Sequence, residues 1–185
     1  MRDLTWKTLS STYVNKAPWA VLRKDVCELP DGRIKPEYYV LEYPNWSNAV
    51  AITEEGKIIL VRQYRHAAQV VSLELPGGVI EAGEAPELAI KRELLEETGY
   101  QFDEVELLAV VYPNPATGDN HTYCYLAKNG KKTQEQSLDE HEDIIVEEYT
   151  IAEVKQLLID NQIGQALHCT NLFYGLLKLG ELQFK

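Results

Sequence analysis

Cysteine is scarce in this chain of 185 residues and shows no pairing pattern. Cys27, Cys124 and Cys169 are far apart, odd in number and form no Cys-x-x-Cys. That excludes a disulfide framework, argues against a zinc site and fits reduced thiols in a cytoplasmic setting. Long hydrophobic runs are missing as well. No stretch approaches the ~18 apolar residues of a membrane span, and the start, Met1 to Thr8, has no apolar signal core. Positive charge is in deficit, with 18 Lys+Arg against 29 Asp+Glu and a net charge of −11. Such a chain repels both nucleic acid and anionic membrane, so neither is an expected partner. There is no internal repeat and no low-complexity tract. Apolar residues are plentiful at 45%, enough for a sizeable core in one domain with a small extra lobe.

The order of elements is legible from turns and periodicity. Trp6 to about Tyr43 reads as a strand-rich preamble in which 20–28 and 37–42 flank the turn Pro30-Asp31-Gly32-Arg33. Strands are predicted at 48–53 and 57–65 around Glu54-Glu55-Gly56, and the continuously apolar Ile58 to Val61 marks the second as central. Val70 to Leu75 leads into Pro76-Gly77-Gly78. A helix is predicted over 86–98, with Pro86 in its first turn and Gly99 at a left-handed exit. Two strands follow at 105–112 and 121–127. Thr150-Ile-Ala-Glu153 forms a capping box that opens a helix to about Ile159. Ala166, Thr170, Phe173, Tyr174 and Leu177 recur at helical spacing as the buried stripe of a third helix. Strands, helix, strands and helices in that order fit an α/β fold with a mixed sheet between helices.

The stretch from Gly78 to Tyr100 carries the chemistry. A glycine-rich turn runs into a helix where Glu93 and Glu97 stand four apart and Glu96 three after Glu93, all on one face. Like charges at that spacing repel, at roughly 0.2–0.5 kcal/mol per pair. A helix built only for stability would carry lysines there. Clustered carboxylates are explained by a hard divalent cation, which such groups hold together with substrate phosphates. An ordinary acidic surface helix accounts for Leu88, Ile90, Leu94 and Leu95 as a buried stripe. It does not account for the glycines or the converging glutamates.

The pattern Gly78, Glu84, Arg92-Glu93-Leu94, Glu96-Glu97 and Gly99 resembles the Nudix box, with Tyr100 standing where that family usually has an aliphatic residue. The resemblance covers about residues 45–180. It implies an α/β/α sandwich with a mixed sheet for 45–185, preceded by an N-terminal β-rich extension at 1–44, and hydrolysis of a nucleoside diphosphate linked to another moiety. It further implies Mg²⁺, with Mn²⁺ as the alternative. The metal ligands are expected to be Glu93, Glu97, Glu96 and the Gly77 carbonyl. Arg92 is expected to orient a box glutamate and Glu84 to brace the loop, with Gly78 and Gly99 structural.

Three features outside the box resemble the branch that cleaves ADP-ribose and related nucleoside diphosphate sugars. Pro115 lies sixteen residues after Gly99. Asp139-Glu140-His141-Glu142-Asp143 resembles a catalytic loop holding the general base, with Glu140 as first choice and Glu142 as second choice or further metal ligand. Arg62-Gln-Tyr64-Arg65 offers Arg65 to grip the diphosphate, because a guanidinium fork matches paired phosphate oxygens. Arg62 is read as sharing its face of the strand, or as structural. The branch also implies a homodimer formed through the N-terminal strands. Trp6, Tyr13, Trp19, Tyr38 and Tyr39 offer aromatic faces there, Trp19 being the choice to stack an adenine. Action on dinucleoside polyphosphates or nucleoside triphosphates is the alternative, as is a non-catalytic module that binds a nucleotide sugar. The intact Glu93, Glu96 and Glu97 argue against the latter.

Overall fold

The computed structural model describes residues 1–183. The chain forms two compact units, one comprising Met1–Pro44 with Tyr112–His121, the other Asn45–Val111 with Thr122–Lys185.

The smaller unit is a three-stranded antiparallel sheet of β1 (Lys7–Ala17), β2 (Ala20–Glu28) and β3 (Ile34–Glu42), in that order. The hairpin turn at 29–33 is closed by Gly32 N–H to the Leu29 carbonyl at 2.9 Å. β1 has no sequence signal of its own. All eleven of its residues are exposed, so no alternation betrays it, and its ladder with β2 holds it in place. Inside this unit Asp25 is buried and paired with Arg23 at 2.9 Å. The 112–121 loop, which contains Pro115, docks through Leu41 N–H to the Thr117 carbonyl (2.7 Å) and the Tyr38 hydroxyl to the Ala116 carbonyl (2.7 Å). Trp19 sits in the turn between β1 and β2 with φ 61° and is 70% exposed.

The larger unit contains β4 (Trp46–Thr53), β5 (Ile58–Arg65), β6 (Val70–Glu74), α1 (Pro86–Thr98), β7 (Tyr100–Gln101), β8 (Val105–Val111), β9 (Thr122–Lys132), β10 (Ile144–Tyr149), α2 (Ile151–Ile159) and α3 (Ala166–Lys178). Its sheet runs β10-β5-β4-β9-β7, with β6 also on β5 and β8 on β9. The β4–β9 pair is parallel and the others are antiparallel, so the sheet is mixed. Period-two alternation on two-sided strands sends Ala49, Ala51, Ile59 and Ala127 to one face, where Ile90 and Leu94 of α1 cover them. Val50, Ile52, Ile58, Leu60 and Leu126 go to the other, under Val154 of α2 and Leu172 of α3. This is the expected α/β/α sandwich. Among the described residues no helix is long and apolar enough to cross a membrane.

The helix termini follow the sequence. α1 has Pro in its first turn and leaves through Gly99 at φ 76°, and the Thr150–Glu153 capping box forms. Two buried stripes differ from expectation. In α1, Leu88 is exposed and Leu95 only half-buried, while Ala89, Ile90, Leu94, Glu97 and Thr98 are buried. In α3 the expected stripe lies on the wrong side. Phe173 and Tyr174 are exposed, and His168, Asn171, Leu172, Gly175 and Leu176 face inward. Burying Asn171 is made tolerable by its amide, which donates to the Asn48 carbonyl (3.0 Å), the Asn48 side chain (2.6 Å) and the Tyr125 carbonyl (3.2 Å). A hydropathy pattern alone misses a polar inward face of that kind. All three cysteines are free, with Cys27 and Cys124 buried, and burial pushes the Cys124 thiol up to about 11.

Leu94 is fully buried and fastens the acidic helix to the sheet. Leu94→Ala is expected to cost about 2–5 kcal/mol, the range for emptying a buried leucine site; a urea titration showing under ~1 kcal/mol would refute that anchoring.

Candidate active site

The site begins with a turn that only glycine can make. Pro76 accepts from Ala49 N–H (3.1 Å) and Gly78 from Ser47 N–H (2.9 Å), so the segment is pinned along β4. Gly77 between them has φ 144°, and a Cβ there would lie 2.2 Å from the Ser47 carbonyl oxygen. A Cβ on Gly78 would come within 2.5 Å of the Glu93 carboxylate. The bare backbone thereby admits the side chains of α1 against the turn.

Arg92 organises these side chains. Its Nε and Nη2 donate to Glu84, each at 3.0 Å, its Nη1 to Glu93 (2.9 Å) and Glu96 (3.0 Å), and its Nη2 also to the Val79 carbonyl (3.1 Å). Glu84 in turn accepts from Glu81 N–H at 3.0 Å, tying the loop to the helix. Glu97 points away from Arg92 and accepts from Gly77 N–H at 2.8 Å. It is only 4% exposed. Desolvation, reinforced by the charges of Glu93 and Glu142, pushes its carboxyl up to about 8, against the pull of the Gly77 bond. Glu93 is raised too, chiefly by desolvation, with Arg92 opposing.

Arg65 and Glu142 complete the neighbourhood, since Glu97 feels the charge of both. Arg65 is held by Glu74, Nε at 2.9 Å and Nη2 at 2.6 Å, a two-point clamp that leaves Nη1 outside it. Glu74 is 1% exposed, and Nε2 of the buried His168 lies 3.3 Å from its carboxylate, off hydrogen-bond geometry. Burial acts to raise Glu74. The Arg65 bonds, followed by His168, outweigh it and hold the carboxyl well below its ordinary value.

Arg62 requires correction. It lies three positions before Arg65, and with a strand period of two that odd offset places them on opposite faces. Arg62 pairs with Glu147 at 2.5 and 3.0 Å, away from the acidic cluster. It is engaged within the sheet rather than beside Arg65. Glu140 is exposed in the 139–142 turn, which closes through Glu142 N–H to the Asp139 carbonyl (3.0 Å) and Asp139 N–H to the Glu142 carboxylate (3.1 Å). Trp19 and Pro115 belong to the smaller unit. Tyr100 packs with the α1-side core, as its position implies, and its hydroxyl donates to Glu148. Glu74 and His168 were not anticipated. A glutamate inside the apolar run Val70–Leu75 was the available signal for the first.

No group of three or more His, Cys, Asp or Glu side chains is close enough to share a metal ion among the described residues. The reason is visible: Arg92 draws Glu93 and Glu96 to itself while Gly77 N–H takes Glu97. The residues nevertheless fit a hard divalent cation. The donor set is all oxygen, and the nearly buried Glu97 has no direct cationic partner, so such an ion would relieve its desolvation.

Sequence and structure comparisons place the chain among known proteins. The NUDIX domain family matches residues 45–168, and the nucleoside diphosphate sugar hydrolase N-terminal domain matches residues 6–41. The chain is 30% identical over 167 residues to an ADP-ribose pyrophosphatase of Bacillus subtilis, covering 90% of each chain. It is 33% identical over 158 residues to a methanol dehydrogenase activator of Bacillus methanolicus, covering 85% of each. The crystal structure of an ADP compounds hydrolase shares the fold, with a TM-score of 0.85 at 21% identity over 98% of this chain and 100% of that one.

Glu74 makes stability depend on acid. Its folded pKa is depressed, so its contribution is complete at neutral pH and is lost as pH falls from the ordinary 4.5 toward the lowered folded value. Glu74→Gln is therefore expected to be less stable than wild type at pH 7, with the gap narrowing below about pH 4.5. Urea titrations across that range check it, and a gap that widens on acidification would contradict the clamp.

Proposed function

The chain belongs to the Nudix family, and from that premise we propose that it hydrolyses the pyrophosphate linkage of ADP-ribose or a related nucleoside diphosphate sugar. The products are a nucleoside monophosphate and a sugar phosphate. The observation that carries this reading is the arrangement of Glu97 and Glu93 against the glycine turn, with Arg65 and Glu142 alongside. It is supported by the names of the relatives and by the match of the N-terminal segment.

Glu93 and Glu97, with Glu96 and the Gly77 carbonyl, are the residues that would hold a divalent cation, Mg²⁺ by preference and Mn²⁺ as the alternative. Such an ion supplies neutralisation of the charge that develops on the phosphoryl oxygens. Arg92 and Glu84 hold the glutamate row and its loop in register. Arg65, fixed by Glu74, offers its remaining N–H groups to the diphosphate. Water adds to one phosphorus, the bond from that phosphorus to the bridging oxygen breaks, and the other phosphate leaves with that oxygen. The proton released by the water passes to a carboxylate of the 139–143 loop, Glu140 in first place and Glu142 in second. Trp19, exposed in its turn, is assigned to stack the adenine.

Release of AMP from ADP-ribose with Mg²⁺, followed by chromatography, tests the reading. Glu97→Gln is expected to lower the rate at least ~100-fold, the scale of losing one electrostatic group at the reacting centre. A variant that hydrolyses normally would overturn the assignment. A panel of ADP-ribose, ADP-glucose, UDP-glucose, GDP-mannose, diadenosine polyphosphate and nucleoside triphosphates separates the branch from its alternatives.

We assign residues 1–44 to dimerisation and 45–185 to catalysis. The sheet of the smaller unit exposes Leu9, Tyr13, Val14, Ile34 and Tyr39, with Trp6 just before it, more apolar surface than an isolated sheet leaves open without use. Sedimentation at micromolar concentration is expected to give twice the chain mass of 21.1 kDa. A monomer there would defeat the assignment.

A further inference from the structure

α1 ends in carbonyl groups with no partner inside the helix, as every helix does. Here they are met by the segment that leads into the acidic loop. The Glu96 carbonyl accepts from Ser137 N–H at 2.8 Å, and the Gly99 carbonyl from Thr133 N–H (3.0 Å) and Gln134 N–H (3.3 Å). The Glu97 carbonyl accepts from a side chain, Nε2 of Gln136, at 2.7 Å. The same Nε2 donates to the carbonyl of Ile144 at 3.1 Å. One amide thus joins the backbone of the most buried glutamate of α1 to the residue where β10 begins. Gln136 precedes the 137–143 loop and Ile144 follows it, so the bridge fastens both ends of the loop to the end of the helix.

The chemistry of the neighbourhood makes such a bridge necessary. The loop carries Asp139, Glu140, Glu142 and Asp143, and the helix presents Glu93, Glu96 and Glu97. Like charges drive the two apart, and Glu142 is near enough for both Glu93 and Glu97 to feel it. A neutral donor holds them together without adding charge. A lysine or arginine would also supply donors, but it would draw carboxylates to itself as Arg92 does. Near the far end of β10, Glu148 accepts from the hydroxyl of Tyr100, the residue that follows the helix cap Gly99.

We infer that Gln136 is a positioning residue, whose side-chain amide holds the 137–143 loop against the glutamates of α1 and so sets the distance of the loop carboxylates from the reacting phosphorus. This deepens the proposed function and rests on the reading of that loop as the source of the base. Gln136 touches no substrate. Its effect passes through the loop, and a small displacement of a reacting group is costly to the rate.

The test compares wild type with Gln136→Leu, which keeps the bulk and loses both N–H groups, and with Gln136→Asn, which keeps a neutral amide donor on a shorter stem. Gln136→Leu is expected to lower kcat roughly tenfold with KM nearly unchanged. Gln136→Asn recovers part of that loss. Because Gln136 is exposed, neither variant shifts the melting temperature appreciably. Amide exchange in 137–143 accelerates in Gln136→Leu while α1 keeps its protection. Combined with Glu140→Gln or Glu142→Gln, whichever single variant abolishes the rate, Gln136→Leu adds no further loss. An unchanged kcat, a fall that follows a lowered melting temperature, or unchanged exchange in the loop overturns the inference and leaves the base reading standing. Full activity in both loop-carboxylate single variants overturns that reading instead, and the catalytic part of the inference with it.

Discussion

The Arg92 guanidinium is the constraint on which the site depends. Its five N–H groups reach three carboxylates and one backbone carbonyl, drawn from the loop after the glycine turn and from two successive turns of α1. Without it, Glu93 and Glu96 would repel one another on one helical face, and Glu84 of the preceding loop would lose its tie to them. With it, the repulsion is balanced on the outer side of the row, and Glu97 is left on the inner side, nearly buried, with only a backbone N–H for company. Attraction on one flank and electrostatic deficit on the other is what gives the row a direction. The carboxyl that has no arginine of its own faces the glycine turn, where it accepts from Gly77 N–H.

Much of this was legible in the sequence, for identifiable reasons. The bounds of α1 and the capping box of α2 were readable because proline, glycine and the Thr-x-x-Glu pattern act locally. The glutamate row was readable because its spacing contradicts what a merely stable helix would contain. β1 was not readable. Its residues face water on both sides, so neither period nor hydropathy marks them. The inward face of α3 was misread because hydropathy favoured Phe173 and Tyr174 over His168 and Asn171. The burial of Asn171 is settled by Asn48 and Tyr125, 123 and 46 residues away in the chain, and His168 lies beside Glu74 of β6.

The arginines of β5 show the same limit at finer scale. Sequence can nominate a guanidinium but cannot say which carboxylate reaches it first. Arg62 found Glu147 and Arg65 found Glu74, on opposite faces of one strand. The second pairing is the more consequential. Glu74 is almost wholly enclosed, so its charge is tolerable only while Arg65 stays in place. The clamp therefore fixes a side chain that would otherwise sample many rotamers beside the acidic row.

The burial of the native thiols has a practical consequence for spectroscopy. Cys124 is enclosed and its thiolate strongly disfavoured, Cys27 is enclosed, and Cys169 is partly covered with its sulfur hydrogen-bonded to the Ile163 carbonyl. A cysteine engineered at an exposed loop position would outcompete all of them for maleimide. Fluorophores or spin probes can therefore be attached to the natural background without first removing any native sulfur.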